Sequence, residues 1–351
     1  MISTLILIAA VPGLAPLGDS YILKYMLTYP QNKHSSSETE LPAVAAELYR
    51  RFAQTTYAKK LDRPRYWRIV PSKDEYTATH WERVVPNGHN LHHCLITGKL
   101  ATWTATTDNA LREARGERTL FSPTDVEILA CTGIVHDLAE SVLSDAPYGS
   151  KTEQERTDEA TVLRTSADEF IPDINPNLRS FYDKAAMIAF GDTNELLPRA
   201  FNLVEMVGFI EDALSAYLWS KKLESAALLS IDERIKLGIH DDAANPTVHV
   251  TRTILADRLR RLFTEVLGSN VFEKCIRYSQ EFSAAEFYLT SNTELISDAF
   301  SDVQDETFAW YESEDPTAQP GESDKRWQRF YGQKVLWNNW LTKHNETHVS
   351  A

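Results

Sequence analysis

Cysteine is scarce: Cys94, Cys131 and Cys275 are the only three in 351 residues, widely spaced and without a CxxC pair. That excludes a disulfide framework, and Cys94 and Cys131, set in apolar helical runs, read as small hydrophobes. The pattern fits a reducing compartment, and the expected location is cytoplasmic. Basic residues are short as well. Lys and Arg total 36 against 50 Asp and Glu, a net charge of −14, which argues against duplex nucleic acid as a main partner. It leaves room for a small phosphorylated substrate, because a metal can supply positive charge locally. No Lys or Arg precedes Lys24, and Pro12, Gly13, Pro16 and Gly18 interrupt the apolar residues 2–17. The segment therefore lacks the basic start of a signal peptide and the length of a bilayer span, and an early helix packed into the core is expected instead. Period-two alternation is also missing, so no major sheet is expected.

What remains is a helix-rich chain, 43% hydrophobic and long enough for one large domain or two ordinary ones. Apolar residues recur at helical spacing over 44–57, and a second helix is expected over 91–114. Residues 62–90, rich in Arg, Trp, Tyr and Pro, read as irregular. Ser122-Pro123-Thr124-Asp125 is a helix start with a Ser cap, Pro at the first position and an acid in the first turn. Helices are further expected over 151–170, 178–190 and from Pro198 to about 222. From Glu281 to Asp324 the chain carries twelve acids and no Lys or Arg. Lys325 onward then brings five basic residues with Trp327, Trp337 and Trp340. Such a tail can suggest nucleic-acid binding, but docking against the acidic stretch or the core is the favoured reading.

The chemistry concentrates in His136-Asp137-Leu138-Ala139-Glu140, followed by Asp145 and Pro147. It closes a run, 126–135, that is apolar on nearly every face and so belongs in an interior. Buried ionisable groups need pairing or a metal, and a divalent cation compensates several at once. On a continuing helix Glu140 shares a face with His136, and Asp137 lies about 100° away. A second His-Asp pair, His240-Asp241, lacks these surroundings and reads as surface.

Further ligands are sought in two places. Among His89, His92 and His93, His92 shares a helical face with Ile96, Leu100 and Trp103 and is expected to point at the core. His93 shares its face with Thr97 and Thr104 and reads, like His89, as an outer or surface residue. On the helix after Pro198, Glu205, Glu211 and Asp212 all lie beside the apolar stripe, and geometry leaves that choice open.

These residues resemble the HD-domain metal-dependent phosphohydrolases, an all-helical fold, and above all the 5′-deoxynucleotidase branch. The resemblance covers roughly residues 80–222 and rests on three stretches. These are His92 with Ile96-Thr97, His136-Asp137-x-x-Glu140 with Asp145 and Pro147, and Glu211-Asp212-Ala213-Leu214-Ser215-Ala216-Tyr217. It implies an HD-type helical bundle over 76–225, flanked by a mostly helical N-terminal extension, 1–75, and a helical C-terminal region, 226–351. It implies His92, His136, Asp137 and Asp212 as metal ligands and Glu140 with Asp145 as the acid/base pair. It also implies a phosphate-gripping arginine upstream, for which Arg83 and Arg68 are the candidates. Two imidazoles and two carboxylates suit Mn, Co, Fe or Zn and leave positions for water and a phosphate oxygen. No histidine falls between His136 and Asp212, whereas binuclear members carry extra ones there, so a single ion is expected. Departures from the branch are Ser144 where Gly is usual, His93 after His92 where a small residue is usual, and a long spacer whose polar residues 108–118 read as an inserted loop.

The expected activity is hydrolysis of a small phosphate ester, a (deoxy)nucleoside 5′-monophosphate first of all. The alternatives are a nucleoside triphosphate or oligonucleotide phosphohydrolase, or a non-catalytic HD-like binding or regulatory module. The acidic stretch and aromatic tail would suit the module. Glu140 and Asp145 beside a full ligand set favour the hydrolase. Members of this branch often pair as homodimers.

Overall fold

Two glycines set a close helix crossing. In this computed structural model, which describes residues 39–62, 90–143, 151–227, 259–305, 307–309 and 320–349, α3 (Asn90–Ala114) packs against α4 (Pro123–Val135). A Cβ on Gly133 would lie 2.5 Å from the backbone nitrogen of Gly98, and one on Gly98 would meet Ile134 at 2.8 Å. Only hydrogen at both positions lets the backbones meet this closely. Asn109 fastens the connection between the two helices. Its Oδ1 accepts from the backbone N–H groups of Leu120 and Phe121, and its Nδ2 donates to the Phe121 carbonyl. The start of α4 follows the sequence reading: Ser122 and Asp125 form a reciprocal capping box ahead of Pro123.

Eight consecutive residues of α4, Ile128 to Val135, are buried. The helix is enclosed by α1 (Ala43–Phe52), α3, α7 (Pro176–Ala189) and α8 (Leu196–Ala227). It serves two apolar cores. Leu129 joins one, built from the later part of α3, from α8 and from the C-terminal helices. Ala130, Cys131, Ile134 and Val135 join the other, with α1, α2 (Thr56–Leu61), α5 (Glu153–Thr165), α6 (Ala167–Phe170) and α7. The C-terminal group comprises helical residues 259–267 followed by α9 (Val271–Tyr278), α10 (Ser283–Ser291), α11 (Thr293–Asp302) and α12 (Glu322–Val349). Every element among the described residues is a helix or a helical turn, as expected of an all-α chain. No described helix is long and apolar enough to cross a membrane.

Several boundaries depart from the sequence reading. The stretch expected as one helix over 44–57 breaks after Phe52, and the Thr55 hydroxyl caps α2 by accepting from the Ala58 N–H. Residues 108–118 are not an inserted loop. α3 continues to Ala114, with Asp108 fully buried and accepting from Arg112 and from the Ala284 N–H at the start of α10. The aromatic tail docks inward. Trp337 is buried against Phe272 and donates its indole N–H to Ser297 of α11, while Trp327 stacks on Phe330. All three cysteines are free and buried. The apolar residues 2–17, residues 63–89 of the stretch 62–90 read as irregular, and the pair His240-Asp241 lie outside the described residues.

Candidate metal centre

α4 stops at Val135, and the chemistry begins where it stops. His136 is the C-cap residue, and Asp137 turns the chain into a 3-10 turn, Leu138–Ser141. The ring of His136 is nearly buried, with Phe201 of α8 edge-on at 5.6 Å between centroids. Its Nδ1 lies 2.9 Å from the Gly133 carbonyl oxygen. A carbonyl can only accept, so Nδ1 carries a proton, and in the neutral form of the ring the lone pair is on Nε2.

That lone pair meets two further donor atoms. His136 Nε2 is 3.3 Å from His93 Nε2 and 3.2 Å from Asp137 Oδ2, and the third side, His93 Nε2 to Asp137 Oδ2, is 3.5 Å. Ligand atoms about 2.0–2.1 Å from a first-row ion stand about 3.0 Å apart in an octahedron and about 3.4 Å apart in a tetrahedron. The observed triangle has that size, and His93, His136 and Asp137 are grouped as a possible metal-holding set. Its composition, two imidazoles and a carboxylate, suits Zn, Mn, Co or Fe.

The imidazole and the carboxylate are electrostatically coupled. Burial would depress the His136 imidazole pKa, but the Asp137 carboxylate overrides it and holds the value above its ordinary level. Burial would raise Asp137, but His136, His93 and Lys151 together hold its carboxyl well below the usual range. Glu205 of α8 is within electrostatic reach of His136, Asp137 and Lys151, and burial pushes its carboxyl up.

Next to the triangle lies a buried polar chain. Asn90, the first residue of α3, donates from Nδ2 to Glu140 Oε2 at 2.7 Å. Lys151, just ahead of α5, reaches Glu140 Oε1 at 3.2 Å and Glu159 Oε1 at 2.8 Å. Burial opposes the Lys151 charge, and the three carboxylates Asp137, Glu140 and Glu159 nevertheless raise its pKa. The Asn90 Oδ1 is buried without a hydrogen-bond partner among the described residues.

The structure rearranges the expected ligand set. His136 and Asp137 are where the sequence put them. His92 is exposed, and the histidine brought to the pair is His93. The reason is the character of α3: Thr97 and Thr104, which share the His93 face, are both buried, so the face read as polar surface faces inward. Thr102 satisfies its hydroxyl by donating to the Gly98 carbonyl one turn back, and Thr97 lies 3.3 Å from His93 Nε2. Glu140 is close by, but not through the i, i+4 relation of a continuing helix. The 3-10 turn aims it at Asn90 and Lys151. Asp212 of α8 is not one of the three residues whose ligand atoms converge at the triangle. Asp145, Arg68, Arg83 and His89 lie outside the described residues. Asn90, Lys151 and Glu159 were missed, since no local pattern distinguishes a lone Asn or Lys that pairs across 50 or 11 residues.

Comparison of the chain with protein-family models, with curated proteins and with solved structures returned no match.

Proposed function

We propose that the protein is a metal-dependent phosphohydrolase of the HD-domain type, acting on a small phosphate ester such as a (deoxy)nucleoside 5′-monophosphate. The observation that carries the reading is the convergence of His93 Nε2, His136 Nε2 and Asp137 Oδ2 at metal-ligand spacing, with the Glu140 carboxylate next to it. Those three side chains would hold one divalent ion. Such an ion supplies an electrophile that acidifies water and neutralises charge on a phosphoryl group.

The protein's own residues then have separable tasks. The Gly133 carbonyl fixes the His136 tautomer, so Nε2 faces the site in every turnover. Asn90 and Lys151 hold one Glu140 oxygen each, which fixes the carboxylate beside the triangle. In this reading Glu140 and Asp145 are the acid/base pair: one takes a proton from the attacking water, and the other protonates the ester oxygen as the P–O bond breaks. The products are inorganic phosphate and the alcohol, with no redox change. Arg83 and Arg68 are the candidates for gripping the phosphate.

The test is phosphate release from nucleoside mono-, di- and triphosphates with added Mn or Co, for the wild type and Asp137→Ala. Release from a monophosphate, abolished by the substitution, is the expected result. Release confined to triphosphates would replace the substrate class, and indifference to all three would overturn the hydrolase reading for nucleotides.

A further inference from the structure

Resting on the hydrolase reading above, we propose that Glu159 of α5 is a positioning residue: through Lys151 it holds Glu140 as the proton acceptor of the reaction. Side chains from separate segments form one buried chain of donors and acceptors. Asn90 opens α3, Glu140 lies in the 3-10 turn, Lys151 precedes the Thr152 cap of α5, and Glu159 lies on α5 itself. Both oxygens of Glu140 meet donors, the Asn90 Nδ2 at 2.7 Å and the Lys151 ammonium at 3.2 Å. An ammonium has no acceptor, and its charge favours the ionised partner. The contacts therefore close around a carboxylate, not a carboxyl with a proton to give. An ionised carboxylate has about four acceptor positions, so these two donors do not exhaust it. Glu140 is also outside the group of residues whose ligand atoms converge. As the water oxygen bonds to phosphorus, its proton passes to Glu140. The ester P–O bond breaks, and the leaving oxygen takes its proton from the other acid of the pair. Glu140 then returns its proton to solvent, from which the other acid regains one.

Glu159 acts through the ammonium. The Glu140 and Glu159 side chains are 5% and 7% exposed, and the Lys151 nitrogen contacts both. It is closer to Glu159, at 2.8 Å, than to Glu140, at 3.2 Å. A lysine is a point charge on a long flexible stem, so one partner does not fix where it sits. Glu159 ties it to α5 and keeps it from closing fully onto Glu140 or shifting toward Asp137, whose charge also acts on it. Asn90 holds the opposite oxygen from α3. The carboxylate is thus fixed from both sides. Displacing a reacting group by about 1 Å can cost about a hundredfold in rate.

The experiment uses the full-length protein with Mn, a deoxynucleoside 5′-monophosphate that the wild type hydrolyses, and the 5′-S-phosphorothiolate of the same nucleoside. In the second ester the leaving atom is a thiolate, which departs without a proton. Loss of the acid is therefore masked on that ester, and loss of the base is not. Wild type, Glu140→Gln, Glu159→Gln, Glu159→Asp and Asn90→Ala are compared for kcat, KM and bound metal, with far-UV circular dichroism as the folding check. Glu159→Gln and Asn90→Ala are expected to lower kcat about tenfold to a hundredfold, by the same factor on both esters, at unchanged KM and metal content. Glu140→Gln is expected to lower it further, again equally on both, and Glu159→Asp, which keeps the charge, to recover part of the loss. Falls confined to the oxygen ester would make Glu140 the proton donor and overturn the assignment. Unchanged kcat in folded Glu159→Gln and Asn90→Ala would overturn the positioning role and leave the hydrolase standing. Hydrolysis of no phosphate ester by the wild type would overturn the hydrolase reading itself and the proposal with it.

Discussion

Lys151 places one positive charge between two buried carboxylates, 3.2 Å from Glu140 and 2.8 Å from Glu159. Replacing it by a neutral chain of similar length leaves both acids without their counter-charge. Lys151→Met is expected to cost about 3–5 kcal/mol, read from denaturant unfolding. Adding Glu159→Gln should return part of that loss, because one of the stranded charges is then gone. Equal stability of Lys151→Met and wild type would mean the ammonium only decorates the surface. A half-buried acid of α4, Glu127, lies against the start of α1, where it accepts from the backbone N–H groups of Val44 and Ala45. Burial raises its pKa above 4.5, and those two amides offset only part of the rise. The sign follows: stabilisation from the neutral form is complete below the ordinary carboxyl value and is lost as pH rises through the raised one. Glu127→Gln keeps a neutral side chain at all pH. Its melting temperature relative to wild type should therefore improve between about pH 4 and pH 7. A difference that stays flat across that range would contradict the assignment.

At the scale of elements, the α3–α4 crossing does most to place the site, because it brings His93 to the end of the helix that leads into His136. A methyl group on Gly133 would sit 2.5–2.7 Å from the backbone of Thr97 and Gly98, atoms that cannot rotate away. Gly133→Ala is expected to lower stability by about 3 kcal/mol, with a matching fall in thermal midpoint; retained stability would mean the helices can separate freely. Much at this scale was legible in the sequence. The Ser122 cap, Pro123 and Asp125 gave the start of α4, and its unbroken apolar run gave its burial, since both are local signals. The end of α4 was not legible. Nothing nearby announces that the chain leaves the helix after Val135, so Glu140 was read on a helical face it does not occupy. His92 was read on the inward face, where the structure places His93, for a related reason. Hydrophobic periodicity counts threonine as an outward residue, and α3 buries three of its threonines.

At the scale of the whole molecule, the site lies at the seam between two apolar cores. The 3-10 turn gives Leu138 and Ala139 to one core, and Phe201, against the His136 ring, belongs to the other. The described N-terminal helices α1 and α2 share the first core with α4 to α7, and the C-terminal helices share the second with α3 and α8. Helical character and the inward docking of the aromatic tail could be read in advance, because composition and amphipathic spacing report on them. Which helix faces which depends on contacts between residues far apart in the chain, and that kept Lys151, Glu159 and the approach of α8 out of reach. The central claim is that His93, His136 and Asp137 form one metal centre. The most direct test is the metal content of the purified protein for wild type, His93→Ala and His92→Ala. About one transition-metal ion per chain in wild type and His92→Ala, lost in His93→Ala, is the expected result. Metal retained by His93→Ala and lost from His92→Ala, or no metal in the wild type, would contradict it.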